Sequence, residues 1–500
     1  MPAGEKTGKE LQEVNANYGF FHNYLDGRFE KSDAPEIKVI NPATGAWIAS
    51  VAASREVEVS SAVDAAATAF ESWSRKPLSD RVGRLFALRN LAASEAENLA
   101  RIIVQENGKT IGEARGEVWR GIDNIDASIG SLYLLKESGT RQVTEGVDEE
   151  MEREPLGVFS AVTPFNFPAM IPFWFLPYAL ATGNTFILKP SERTPATMNY
   201  LFRKIHEAKI FPPGVLSLIN GAKSAVDALI ANKDVSGISF VGSTPVARYI
   251  FEQCSVRKKR VQAQASAKNF VVVMPDAKLS AVMPNLINSF YGNAGQRCLA
   301  GSNLVVFDGN HQETVEKFTR IASGLRLGYG LDEEVDMGPV ITKEQKKRVS
   351  SFVERGRDEG ADLILDGREA EVHEYSEGNF VGPSVLDNAT VDMTVTREEI
   401  FGPVASVIEL ETLEEAIDAI NTSIYGNMAA IFTSDPVAAR KFTLSVRAGN
   451  LGVNIGVPAP AATYPFGGYR DSFFGDLHGQ GGEDYVQFYT ERKIVVSRWL

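Results

Sequence analysis

Gly295-Gln296-Arg297-Cys298 is where this chain concentrates residues able to do chemistry. Cysteine is a nucleophile as the thiolate, and a neighbouring guanidinium favours that form. Small residues on both sides, Ala294 and Gly295 before it and Ala300 and Gly301 after it, leave room for a substrate to reach the sulfur. The only other cysteine, Cys254, sits in Glu252-Gln253-Cys254-Ser255 without such a setting and reads as a small buried hydrophobe. The local residues leave both roles open for Cys298, nucleophile or core filler.

A second group of residues has the chemistry for a dinucleotide. Ile238-Ser239-Phe240-Val241 is a strand pattern running into Gly242-Ser243-Thr244, with Pro245 near the first helical position. Such a turn aims backbone N–H groups and hydroxyls at a phosphate. The full G-x-G-x-x-G pattern is missing, because Ala247 stands where a final glycine belongs, and many Gly-Ser turns merely connect a strand to a helix. The strand Phe186-Ile187-Leu188 delivers Lys189 and, three residues on, Glu192. Lys189 suits ribose or phosphate oxygens; Glu192 suits the ribose hydroxyls of NAD and would repel the 2′-phosphate of NADP. An ordinary surface Lys–Glu pair accounts for the same two residues.

These residues need a frame. Five hundred residues exceed one hydrophobic core, so two or three domains are expected. The hydrophobic share of 44% and charged share of 23% are those of a globular protein. A formal net charge of −13 disfavours nucleic acid and anionic membranes as partners. Two cysteines suit a reducing compartment, and a cytoplasmic location is expected, since residues 1–17 have the character of neither a secretory signal nor a transit peptide. The five histidines are scattered, so no metal site is expected. The stretch from Pro155 to Leu188 has no charged side chain, but Pro164, Pro168, Pro172 and Pro177 interrupt it, which argues for strand, loop and short helix rather than a membrane span.

Periodicity predicts strands and turns over 18–50, helices over 56–74, 79–107 and about 111–135, and an extended acidic run over 141–155. Strand–helix alternation follows from 157 to 253 and again from about 270 to 460, as in a doubly wound parallel sheet. The tail 485–498 reads as a strand that must pair with something, another subunit being one possibility.

Five blocks make the chain resemble an aldehyde dehydrogenase over nearly its whole length: Pro164-Phe165-Asn166-Phe167-Pro168, Lys189-Pro190-Ser191-Glu192, Phe240-Val241-Gly242-Ser243, Gly295-Gln296-Arg297-Cys298 and Glu399-Ile400-Phe401-Gly402-Pro403. Within that family it most resembles the CoA-acylating methylmalonate-semialdehyde dehydrogenases. Gly116 to Gly121, Pro164 to Pro172, Gly295 to Cys298 and Gln487-Phe488-Tyr489-Thr490 carry the closer match. The resemblance implies an α/β fold: a Rossmann-type NAD domain (18–140 and 156–266), an α/β catalytic domain (267–461) and a small β oligomerisation unit (141–155 and 482–500), assembled as a homo-oligomer, dimer or tetramer. It implies Cys298 as nucleophile and Asn166 with the Cys298 N–H as oxyanion donors. It implies Thr163, Phe165, Lys189, Glu192, Gly242, Ser243, Glu399 and Phe401 around NAD, and Phe167, Arg120 and Arg297 around the substrate.

One departure matters. Hydrolytic members carry a water-activating Glu before the nucleophile, and Gln264 stands at that position in Gln264-Ala265-Ser266-Ala267-Lys268-Asn269. An amide cannot take a proton, whereas a thiol with a pKa of about 8.5 needs far less help than water. Transfer of the acyl group to coenzyme A is therefore expected. Arg120 and Arg297 match a carboxylate on the aldehyde, a surface or interdomain ion pair being the other reading of them; malonate or methylmalonate semialdehyde is the favoured substrate, and the resemblance implies acetyl-CoA or propionyl-CoA after loss of CO₂. The acylating relatives usually have Gly-Ala-Lys-Asn-His where this chain has Ser266-Ala267-Lys268-Asn269-Phe270. The rivals are a hydrolytic aldehyde dehydrogenase and a catalytically silent binding protein on the same fold.

Overall fold

The computed structural model describes residues 12–136 and 138–499; the part of the terminal-segment reading that falls on residues 1–11, and residue 500, lies outside them. Two large sheets dominate. The first has a parallel centre of Arg260–Gln264, Val235–Val241, Val158–Val162, Thr185–Lys189 and Leu216–Leu218, in that spatial order. The chain starts at Val158–Val162, winds to one side through 185–218, then crosses back to the other side at Val235–Val241. Ligands of doubly wound sheets bind at the carboxyl ends of strands beside such a reversal. Thr163 and Gly242 follow the two strands that flank it.

The second sheet runs parallel through Ser384–Asp387, Val404–Leu410, Gly301–Phe307, Asn269–Val273, Met428–Phe432 and Asn450–Val453. Only four residues separate Gln264, the end of the first sheet's strand, from Asn269, the start of the second's. The carboxyl edge of one sheet therefore faces the amino edge of the other. The central strands, such as Thr185–Lys189 and Asn269–Val273, are buried on both faces and are correspondingly rich in Val, Ile, Leu and Phe.

Three expectations change. The helix expected over 79–107 is two helices, Leu78–Ser94 and Ala96–Asn107, broken at Glu95. There the carboxylate accepts from Asn98 and Tyr200, and the apolar spacing continues across the break, so periodicity does not register it. The helix expected to Leu135 ends at Gly130 and passes into a 3₁₀ turn, Leu132–Leu135. In the tail, Asp484–Tyr489 is a helix and only Thr490–Arg498 is a strand. Tyr485, Val486, Phe488 and Tyr489 are all buried, a helical stripe whose aromatic and β-branched composition imitates a strand. The terminal strand pairs within its own chain, antiparallel along Val147–Pro155, which also pairs with Ser138–Thr144. Among the described residues no helix is long and apolar enough to cross a membrane.

Candidate active site

Cys298 lies on the loop entering strand Gly301–Phe307, and the loop is wound against its preference. Asn293, Ala294 and Gly295 are consecutive left-handed residues with φ of 51°, 50° and 71°. For the two non-glycine residues this costs on the order of 1–2 kcal/mol each. At Gly295 no other residue fits, since a Cβ would stand 2.2 Å from the Gly402 carbonyl oxygen.

Hydrogen bonds from several distant elements hold this shape. The Asn293 N–H donates to Glu113 Oε1 at 2.7 Å. The Ile341 N–H donates to Gln296 Oε1 at 3.0 Å. The Cys298 carbonyl accepts from both Asn269 and Asn427 side chains, each at 2.8 Å. Asn166 donates its side-chain amide to the Gln296 carbonyl at 3.0 Å, which ties it to the Cys298 loop and leaves the amide's second hydrogen for another acceptor.

Asn166 is itself positioned from behind. Lys109 and Glu117 form a fully buried ion pair at 2.6 Å. Lys109 Nζ also donates to the Asn166 carbonyl at 2.7 Å and lies over the Phe167 ring. Glu117 accepts from the Ala169 and Met170 N–H groups, at the start of helix Met170–Ala181. Burial pulls the Lys109 ammonium below the ordinary lysine range, opposed by the Glu117 charge.

Cys298, Phe167, Arg120 and Arg297 line one cavity of about 1230 Å³. The two arginines differ. Arg297 Nη2 pairs with Glu113 Oε1 at 2.7 Å, and its guanidinium folds back over Gly292, where a Cβ would collide with it at 2.4 Å. Arg120 reaches only the Pro460 carbonyl, at 3.0 Å, and among the described residues it forms no salt bridge. Asn166 does not itself line this cavity.

The expected help from Arg297 to the thiol is outweighed. Burial pushes the Cys298 thiol up to about 12 and Glu399 adds to the rise; the Cys298 and Leu299 N–H groups and Arg297 pull the other way without winning. Arg297, adjacent in sequence, gives its charge to Glu113 instead of the sulfur, and Cys298 itself is half-buried at the cavity wall. Burial pushes Cys254 up to about 12 as well, and it is fully enclosed.

The residues expected around a dinucleotide lie elsewhere, on the carboxyl edge of the first sheet. The Thr163 N–H donates to the Lys189 carbonyl, holding those two strand ends together. Lys189 Nζ pairs with Glu192 Oε2 at 3.1 Å, but the lysine is buried rather than on the surface. Ser243 precedes helix Thr244–Ser255 with its own side chain making no cap, so its hydroxyl is open to a ligand at a helix N-terminus. Glu399 Oε1 accepts the Ala267 N–H at 2.8 Å, and burial raises its carboxyl. Phe401, at φ 58°, meets Phe165 edge to face at 5.8 Å. This edge, with an open helix N-terminus beside a sheet reversal and a carboxylate near the strand end, fits a dinucleotide. Gln264 ends its strand as a buried amide whose Oε1 has no partner among the described residues. Among the described residues no three metal-ligating side chains converge.

Sequence reasoning missed Lys109, Glu113, Glu117, Asn269 and Asn427. Thr110-x-x-Glu113 is a capping box, which signals one carboxylate oxygen; the other serves the Cys298 loop.

The sequence model of the aldehyde dehydrogenase family matches residues 29–495. Malonate-semialdehyde dehydrogenase 1 of Geobacillus kaustophilus (strain HTA426) is 45% identical over 478 residues, 95% of this chain and 97% of that protein. Among solved structures, methylmalonate-semialdehyde dehydrogenase of Oceanimonas doudoroffii has a TM-score of 0.94 at 39% identity, covering 96% of this chain and 99% of that one. A Sinorhizobium meliloti 1021 protein described as a methylmalonate-semialdehyde dehydrogenase, solved with NAD, gives 0.94 at 38%, covering 96% and 98%.

Proposed function

The chain belongs to the aldehyde dehydrogenase family, and we propose that it oxidises a short carboxylate-bearing semialdehyde and passes the acyl group to coenzyme A, with NAD as its dinucleotide. Malonate and methylmalonate semialdehyde are the favoured substrates, as the names of its relatives suggest. One juxtaposition carries the reading: Cys298 shares a cavity with Arg120 and Arg297 while an amide, Gln264, ends the strand where a base is needed for water.

Arg120, without a salt bridge among the described residues, takes the substrate carboxylate, and Phe167 flanks the chain. The Cys298 sulfur adds to the aldehyde carbon, and the Asn166 amide and the Cys298 N–H meet the oxyanion. Gly242, Ser243, Lys189 and Glu192, with Thr163, Phe165, Glu399 and Phe401, would hold NAD, which when bound supplies a hydride acceptor. The oxidised carbon remains as a thioester on Cys298. In a malonyl-type thioester the carboxylate lies β to the carbonyl, which accepts the electron pair as CO₂ leaves, and the α-carbon of the resulting enolate then takes a proton from solvent. The coenzyme A thiol then displaces Cys298.

We further assign a cytoplasmic homo-oligomer, dimer or tetramer. Its support is the three-stranded sheet closed by Thr490–Arg498, from which Ile494, Val496 and Trp499 project exposed. Light scattering on purified protein tests the assembly. The function is tested by following NADH with malonate semialdehyde in the presence and absence of coenzyme A. Turnover that depends on coenzyme A, with an acyl-CoA product by mass spectrometry, is expected; equal turnover without it rejects the acylating reading in favour of hydrolysis.

A further inference from the structure

Gln480 is 3% exposed, lines the same cavity as Cys298, and its Nε2 and Oε1 are both buried with no hydrogen-bond partner among the described residues. Its neighbours Gly479, Gly481 and Gly482 have no side chains, so Gln480 is the one side chain of this turn. The backbone around it is packed too closely to relax: a Cβ at Gly479 would meet Phe175, Ser239 and Tyr489, and one at Gly481 would stand 2.3 Å from the Tyr464 carbonyl oxygen. Leaving such a group unsatisfied costs about 1–3 kcal/mol. An amide is satisfied by a partner that both donates and accepts.

The semialdehyde is the wrong complement. Its carboxylate only accepts, its lone pairs would face Oε1, and Arg120 serves it better. A molecule of three or four carbons also leaves most of about 1230 Å³ unfilled. A flexible arm bearing secondary amides offers N–H to Oε1 and C=O to Nε2, and its methylenes suit the cavity wall of Phe167, Met170, Trp174 and Phe466. We propose that Gln480 binds the pantetheine arm of coenzyme A and that this thiol reaches the acyl group through the cavity. The inference rests on the acylating reading above. The step balances within the pair: the incoming sulfur bonds to the thioester carbon, the bond from that carbon to Cys298 Sγ breaks, and the departing sulfur takes the proton of the incoming thiol. Gln480 touches the arm and not the reacting atoms.

The test separates the arm from the sulfur. Acyl-enzyme is prepared with aldehyde and NAD, then offered pantetheine or 2-mercaptoethanol, which has no amide. Gln480→Met should lower the ratio of the two transfer rates about tenfold, the size of one well-made hydrogen bond. Desulfo-pantetheine, whose thiol is replaced by hydrogen, should bind about tenfold more weakly to the variant by calorimetry. Gln480→Glu, nearly isosteric, should move both readouts the same way and covers the case in which the methionine variant does not fold. A loss shared equally by both thiols, a loss confined to the first NADH burst, or unaltered desulfo-pantetheine binding overturns the assignment. Failure of the acylating reading looks different: the unaltered acyl-enzyme is then released by water and by no thiol, and the assignment falls with it.

Discussion

The floor and the mouth of the cavity are built to different standards. At the floor, two amide side chains grip the Cys298 carbonyl, Glu113 pins Asn293, Asn166 pins Gln296, and a buried ion pair fixes Asn166 from behind. At the mouth, Arg120 makes a single hydrogen bond to a backbone carbonyl, and Tyr133 and Tyr464 stand 72% and 68% exposed. Groups that must meet a transition state cannot reorganise during the reaction, so strain and buried charge are accepted to hold them. Groups that select a substrate can adjust to it.

The comparison breaks most visibly at the sulfur. Cys298→Ser should abolish the NADH burst by more than about a thousandfold and leave no acyl adduct detectable by mass spectrometry. An adduct on Cys254 would end the assignment of the floor. Next comes the support behind it. Glu117→Gln leaves Lys109 as an unpaired buried ammonium, and breaking such a pair from one side costs about 3–5 kcal/mol. Urea unfolding should show that loss, whereas Arg120→Met at the mouth should cost well under 1 kcal/mol. Equal effects at the two sites would remove the distinction.

The thiol itself gives a pH signature. Because burial holds the Cys298 thiol up to about 12, its thiolate fraction rises tenfold with each pH unit over the accessible range. Alkylation by iodoacetamide without NAD should therefore quicken about a hundredfold from pH 7 to 9 with no plateau, peptide mapping locating the adduct. A thiol activated by Arg297 would plateau near or below pH 8 and would show the floor to be more polar than its packing implies.

Much of this was legible in the chain. Cys298, Asn166, Lys189, Gly242 and Glu399 stand in short blocks whose residue types announce their chemistry, and strand–helix alternation placed them on sheet edges. The supporting groups were not legible, because their partners are remote. Glu113 meets Arg297 across 184 residues, and Asn427 reaches the Cys298 carbonyl across 129. A local pattern states what a side chain is, while its partner depends on how two sheets come together. Arg297 shows the cost: in sequence it adjoins the thiol, yet its side chain turns away over Gly292 to a carboxylate on another helix.

The two arginines give the finest division between floor and mouth. Both guanidinium groups line the cavity, and sequence proximity favours Arg297 as the partner of a substrate carboxylate. The geometry reverses that order. Glu113 already neutralises Arg297 at 2.7 Å and holds Asn293 with the same oxygen, so Arg297 belongs with the floor. Arg120 has no salt-bridge partner among the described residues. The discriminating quantity is the ratio of kcat/KM for malonate semialdehyde to that for propanal, which has no carboxylate. Arg120→Met should lower that ratio about tenfold, chiefly through KM, as befits one charge-assisted hydrogen bond. Arg297→Met should lower kcat for both aldehydes together and leave the ratio within about threefold, because the variant disturbs the nucleophile loop through an unpaired Glu113. A ratio that collapses in the Arg297 variant and survives in the Arg120 variant would move the carboxylate down to the floor, and the substrate would then be selected by the same rigid network that aligns the sulfur.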